Sequence, residues 1–338
     1  MNPWSIRRGI ASIRMLCELA AEHGLSPAQS LQGSGIALSE LEDPRREIEA
    51  AQEFRVIHNL LARLGERGVD AVELAIAAGS RYHLTTMGIW GFAMASSATL
   101  GGAVQVGLRY LDLTYSVNRI WLESTAGHAS LVIDEQGTPA DLAQFVVLRD
   151  MAAIMTLNRE LLAAPVLPSA VRLRFPLQAH TERLTRLFGL PPNFDASRND
   201  LEFDLQLFDA ALPQANELMR QSCEEQCRQL LARRQNRGGI AGRVRDRLLQ
   251  TPGRMPDMEA IASSLNMTSR HLRRLLAAED SSYRALADEV RQALAEELLS
   301  TARMKMDEVA ERLGYAERSS FAHAFKRWKG VAPSAYRS

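Results

Sequence analysis

The sequence predicts an α+β domain, made of helices plus a small antiparallel or mixed sheet, followed by an all-α domain with two helix-turn-helix units. Three observations lead there. The 338 residues exceed the roughly 100 to 200 of a single domain. Apolar patterning runs from helical to alternating and back over the first two thirds of the chain. A helical motif near the C-terminus then recurs at a nearly constant offset. The expected division is 1–212, 213–242 as an amphipathic helix and linker, and 243–338.

In chain order, the first eighty or so residues read as helices, with Ile10, Ile13, Leu16 and Leu19, then Phe54, Ile57, Leu60, Leu61 and Leu64, at helical spacing. Gly24, Gly33, Gly35 and Gly65 punctuate them. Residues 84–108 carry no charge and are long enough to span a bilayer. Thr85, Thr86, Ser96, Ser97, Thr99, Gln105 and five glycines instead predict a buried segment of a packed domain, with no membrane partner. Apolar residues alternating or clustering over 119–123 and 129–134, around Ala126-Gly127, predict a hairpin. A helix over 139–162, a strand over 171–175, a helix over 181–187 and a short strand over 201–203 complete a domain ending near Leu212.

Residues 214–234 form a further amphipathic helix whose stripe holds Ala215, Leu218, Met219, Cys223, Cys227, Leu230 and Leu231. The stripe suits a dimer contact and docking on its own domain equally. Cys223 and Cys227 lack a neighbouring third ligand and read as small core residues, so neither metal nor cofactor is expected. Glycines among basic residues over 233–242 predict a flexible hinge. Three scattered cysteines fit a reducing cytoplasm. Arg7, Arg8, Arg14 and Glu18 interrupt the apolar core a secretory signal needs.

The formal net charge of zero excludes a chain that coats nucleic acid along its whole length, yet the charge is uneven. Residues 236–338 hold 18 Lys and Arg against 13 Asp and Glu, a net charge of +5 that the rest of the chain balances. Within this basic part, MEAIASSL from Met258 and MDEVAERL from Met306 match at an offset of 48. Each is followed by a break and a second helix. Leu272, Leu275 and Leu276 face inward in the first copy; Phe321, Ala324, Phe325 and Trp328 do so in the second, where the offset becomes 49. Two short helices and a tight turn, the second helix basic on its free face, are the pattern that enters a DNA major groove. Arg270, Arg273, Arg274 and Ala277 share one free face, and Arg318, Ser319, Ala322, His323 and Lys326 the other.

Residues 314–337, GYAERSSFAHAFKRWKGVAPSAYR, resemble the signature of the AraC/XylS family of bacterial regulators, and the likeness extends over about 243–338 through Arg291, Ala295, Leu298 and Leu299. The resemblance implies base and phosphate contacts from Arg270, Arg273 and Arg274, and from Arg318, Ser319, Ser320 and His323; Thr268, Ser269, Lys326 and Arg327 complete the candidate DNA-binding set. Asp280 stands where the family often has glycine, and Ala322 where a polar contact residue can stand. MGIWGFAMASSATLGGAV (87–104) and LFGLPPNFDASRNDLEFD (187–204) are similar to a subgroup with an arabinose-binding-type N-terminal domain, resembling ornithine and arginine utilisation regulators. That likeness implies a ligand-sensing and dimerising N-terminal domain, a cytoplasmic homodimer acting as an activator, and as partners promoter or operator DNA, RNA polymerase and a small-molecule effector.

Met87, Trp90, Phe92 and Met94 are the expected wall of the effector pocket, because such pockets are mostly apolar with few polar anchors. Two other readings stay open: an architectural DNA-binding dimer without effector, and an enzyme domain fused to a DNA-binding one. The enzyme lacks a nucleophile elbow, a phosphate-binding glycine loop and metal spacing among His23, His58, His83, His128 and His180. His83, beside Arg81 and Tyr82, reads as a satisfied histidine at a helix junction.

Overall fold

A computed structural model describes residues 7–336 apart from 44, 45, 126, 163, 165, 238, 250–254, 280, 302, 303 and 316, with the backbone alone at 235–237, 249, 297, 300 and 301. Ala126 and Asp280, singled out above, and Gly238 in the expected hinge lie outside the described residues. The chain forms two compact units, Met1–Arg234 and Gln235–Ser338.

The first unit opens with β1 (Arg8–Gly9) and α1 (Ala11–Glu22), whose Ile13, Leu16 and Leu19 are buried as their spacing predicts. In α2 (Pro27–Ser30) Ser26 accepts from the Gln29 amide while the Gln29 side chain accepts from the Ser26 amide, so two orphan donors are satisfied at once. β2 (Glu47–Ile48) pairs antiparallel with β1, and α3 (Ala50–Gly65) and α4 (Ala71–Gly79) follow. The uncharged run folds as a 3₁₀ turn, α5 (Ile89–Ala95) and α6 (Leu100–Arg109), the last started by the Thr99 hydroxyl accepting from Gly102 N. Among the described residues no helix is long and apolar enough to cross a membrane.

β3 (Arg119–Thr125) and β4 (His128–Asp134) form the predicted hairpin. α7 (Ala140–Leu161), β5 (Ala170–Arg172), α8 (Thr181–Phe188) and β6 (Asn199–Asp204) complete an antiparallel sheet of order β3-β4-β6-β5. β5 is shorter than its pattern predicts, because beyond Arg172 the amides of Leu173 and Arg174 donate to Asn193 O and Asn199 Oδ1 instead of the ladder. Ala129, Leu131 and Ile133, with Leu201 and Phe203, join the core around α7. α7 is buried nearly all round, so its two mid-helix charges must be paired. Arg149 Nη1 donates to Glu53 Oε1 at 2.8 Å and Nη2 to Asp150 Oδ1 at 3.3 Å, with both carboxylates buried. Ser12 donates to Glu53, and Ser116 and Asn118 to Asp150 Oδ2, tying α1, α3, α7 and the approach to β3 together.

α9 (Glu217–Arg237) splits its predicted stripe. Cys223 and Cys227 are buried beside Leu231, whereas Leu218 is 80% exposed and Met219 51%. Burial pushes both thiols up, Cys227 to about 11, and among the described residues no group of three or more metal-ligating side chains forms.

The second unit contains α10 (Gly239–Leu249), α11 (Met258–Ser264), α12 (Ser269–Ala278), α13 (Tyr283–Thr301), α14 (Met306–Arg312), α15 (Arg318–Lys329) and α16 (Pro333–Tyr336). Residues 239–242, read by composition as a hinge, are the first turn of α10, with Ile240 and Ala241 buried in the core of this unit. Gly239 has φ +73°, and a Cβ there would lie 2.4 Å from Glu279 Oε1. Only glycine admits both the backbone and the carboxylate, which accepts from Ile240 N and Ala241 N at the helix start. α13 serves two small cores: Leu286 and Val290 pack with Val244, Ile261, Leu272 and Leu276, and Ala295 and Leu299 with Val309, Leu313, Phe321 and Phe325.

Candidate functional site

In the first helix-turn-helix unit Asp257 starts α11 by accepting from Ala260 N at 2.8 Å. The turn passes through Asn266 at φ +56°, a conformation asparagine tolerates better than most residues. The Thr268 hydroxyl then accepts from His271 N at 3.2 Å and starts α12. With Leu272 and Leu276 held in the core, helical geometry places Arg270, His271, Arg273 and Arg274 outside, and all four are exposed. Arg274 meets the ring of His271 at 3.2 Å, and Arg273 approaches Met258 Sδ at 3.8 Å. Thr268 is exposed and Ser269 half-buried.

The second unit repeats this layout. α11 and α14 are 48 residues apart at both ends, whereas α12 and α15 begin 49 apart, so the inserted residue lies in the turn. That turn passes through Gly314 at φ +80°. Glu317 precedes α15 without a side-chain cap. Phe321, Ala324 and Phe325 point inward, leaving Arg318, Ser319, Ser320, His323, Lys326 and Arg327 exposed and Ala322 half-buried. Ser319 donates to Glu317 at 3.1 Å and Arg327 to Asp288 at 3.4 Å.

Three residues that shape this surface escape periodicity. His271 is exposed at the edge of the free face, where it meets Arg274. Glu279 anchors α10 across 38 and 39 residues of sequence. Arg291 donates to Leu313 O at 3.3 Å and lies 5.7 Å from the centre of the Tyr315 ring, fastening α13 to the second turn. Exposed guanidinium forks can bond a guanine edge with two parallel hydrogen bonds, while Ser, Lys and amides at a helix start suit phosphates.

In the first unit a cavity of about 120 Å³ lies beside α7, walled by Met87, Trp90, Met94, Leu131, Leu157 and Phe203 among others. Three of the four predicted wall residues are there. Phe92 is not: it is 55% exposed, because Trp90 and Met94, four apart, share the inner face of α5 and Phe92 projects from the opposite side. His83 pairs with Glu160, whose other oxygen accepts from Leu84 N at 2.8 Å, and does not line the cavity. Tyr82, Thr114, Tyr115, Ser116, Asp150 and Asn158 supply the polar groups of the lining. Burial pushes the Tyr82 hydroxyl up to about 12 and raises the Asp150 carboxyl against the pull of Arg149.

An α+β domain with an apolar cavity, followed in sequence by two helix-turn-helix units on a shared helix, defines the class: a two-domain DNA-binding transcription regulator. The family described as the arabinose-binding domain of AraC transcription regulator, N-term, matches residues 24–212, and a helix-turn-helix domain family matches residues 261–338. An uncharacterized HTH-type transcriptional regulator of Mycobacterium tuberculosis is 36% identical over 99% of this chain and 97% of its own. The ornithine utilization regulator of Pseudomonas aeruginosa is 30% identical over 97% and 95% respectively. The crystal structure of the transcriptional regulator CdpR from Pseudomonas aeruginosa aligns with 84% of this chain and 97% of that one, at 27% identity and a TM-score of 0.42. The chain belongs to the AraC family of transcription regulators, with an arabinose-binding-type N-terminal domain. It is a regulator and not an enzyme.

Proposed function

We propose that the chain is a sequence-specific regulator whose action at a promoter or operator is modulated by a small molecule held in the N-terminal unit. The observation that carries this reading is the cavity beside α7, an apolar space with a few polar groups in a domain that has no helix-turn-helix of its own. DNA is bound through Arg270, Arg273 and Arg274 on α12, capped by Thr268 beside Ser269, and through Arg318, Ser319, Ser320, His323, Lys326 and Arg327 on α15. The exposed Leu218 and Met219 on α9 support a homodimer; it acts in the cytoplasm as an activator, with RNA polymerase as its further partner. The ornithine utilization regulator brings a diamino acid into the range of effectors to be tried.

The test is a titration of full-length protein onto labelled operator DNA with and without candidate metabolites. At least one metabolite shifts the DNA affinity or the footprint, and heat of binding saturates at one site per chain. A DNA affinity indifferent to every compound that binds the first unit would leave only the architectural reading.

A further inference from the structure

Resting on the sensor reading, the wall of the cavity beside α7 indicates which chemistry its ligand brings to it. Trp90 and Met94 of α5, Val104 and Leu108 of α6, Leu131 of β4 and Leu157 of α7 meet there, and the atoms that face the space are almost all apolar. Hydrocarbon buried against such a wall is stabilised in proportion to its area and needs no directional partner. Methionine side chains adapt to irregular shapes, so chains and rings are both admitted.

The polar residues of the lining leave this unchanged, because each is engaged with the protein. The Tyr82 hydroxyl is bonded to Ser12, the Tyr115 hydroxyl donates to Thr86 O, the Thr114 hydroxyl to Leu111 O and the Trp90 indole to Gly107 O. Asp150 takes two donors on each carboxylate oxygen: Arg149 Nε and Nη2 on Oδ1, Ser116 Oγ and Asn118 Nδ2 on Oδ2. Arg149 itself is completely buried, held by Glu53, Asp150 and Tyr115 O. Asn158 donates to Val166 O, and its Oδ1 has almost no accessible surface to offer a ligand.

An ammonium or carboxylate carried into this space would shed its water without gaining a counter-ion. Recognition of an amino acid depends on such polar anchors, and the lining turns almost none toward the space. The cavity is half open, however, so a polar end group has a place outside it, in water.

We infer that the effector enters the cavity with an uncharged hydrocarbon part, chain or ring, and keeps any polar or charged group at the open side. A free diamino acid falls outside this class, so the effector differs in kind from the compound named in the ornithine utilization regulator. The probes are hexanol, octanol and decanol, the corresponding carboxylates, and L-ornithine, each titrated calorimetrically into full-length protein. Affinity rises by about four-fold for each added methylene, by the same factor for alcohols and carboxylates, because the groups that differ stay in water. L-ornithine does not bind at the cavity. A bromine at the far end of octanol then locates the chain: it quenches the fluorescence of Trp90 in the wall, and the quenching is lost in Trp90→Phe.

An increment that is absent, or confined to the carboxylates, overturns the proposal without relying on any variant to fold. L-ornithine binding that octanol displaces overturns it too, yet leaves the sensor reading standing, since a charged ligand would then occupy the same space. Quenching that persists in Trp90→Phe puts the chain elsewhere in the molecule and also overturns it. Failure of every chain to bind does the same, and the sensor reading is then judged by the DNA titration with metabolites.

Discussion

In the first helix-turn-helix unit the turn passes through Asn266, and the recognition helix begins on a hydroxyl cap from Thr268. In the second, glycine makes the turn, the turn is one residue longer, and the helix begins without a side-chain cap. The cores differ in the same direction. The first is aliphatic, around Leu272, Leu276, Leu286 and Val290; the second gathers Tyr315, Phe321, Phe325, Trp328 and Tyr336 in aromatic contacts with ring centres 5.3 to 6.5 Å apart. One unit is stabilised locally, at the start of its recognition helix, and the other through a few large side chains behind it. Their outer faces differ too: three arginines and a histidine on α12, a mixture of Arg, Ser, His and Lys on α15. Under the proposed function, the first suits guanine edges and the second phosphates as well.

The largest expected effect comes from the aromatic core. Phe325→Ala removes a fully buried ring and should cost about 3 to 5 kcal/mol of folding stability. In the full chain, footprinting should then show contacts of the second unit lost and those of the first retained. Loss of both together would mean that the two units do not stand independently on α13.

Next are the arginines proposed to face DNA. Arg273→Ala should lower affinity by about 1 to 3 kcal/mol and relax preference at one base pair, if that guanidinium bonds a base edge. Arg327→Ala should lose less and equally on all sequences, since Arg327 already meets Asp288 and a phosphate is its natural partner. Binding competition against single-base variants of the operator distinguishes the two patterns, and the reverse pattern would exchange the roles.

A smaller difference is expected at the helix starts. Thr268→Ala removes a cap and should cost about 1 kcal/mol, whereas Glu317→Ala removes none and should stay within about 0.5 kcal/mol, both read from denaturant midpoints. The smallest effect concerns acid. Lys329 donates to Glu296 and holds that carboxyl below its ordinary range, so the folded state favours the ionised form. The contribution is fully present above the unfolded carboxyl's value and is lost as pH falls through the folded one. Stability of the second unit should therefore decline slightly more in acid in the native chain than in Glu296→Gln, measured by thermal melts at stepped pH.

Much of this was legible beforehand because helices and hairpins announce their buried faces by period. The spacing of Leu272 and Leu276, or of Phe321 and Phe325, gives the inner side of each recognition helix and, by elimination, its outer side. Period fails where a partner is distant in sequence. Glu53 and Arg149 look like solvated charges until folding brings together positions 96 residues apart, and Glu279 reads as the end of a helix with nothing to show that it starts another. Phe92 failed for a related reason: an uncharged run suggests that everything in it is buried, yet α5 turns one side to solvent.

With two helix-turn-helix units, one chain is expected to read DNA twice. α13 spans 19 residues, about 28 Å at 1.5 Å per residue, and carries both units, close to the roughly 34 Å that separates successive major grooves on one face of B-DNA. Methylation interference at guanine N7, on DNA bound by the compact unit of residues 235–338, measures this directly. The expected result is two major-groove segments about 10 base pairs apart on an asymmetric site occupied by one chain. A single protected groove, or a palindromic site occupied only by two chains, would contradict it.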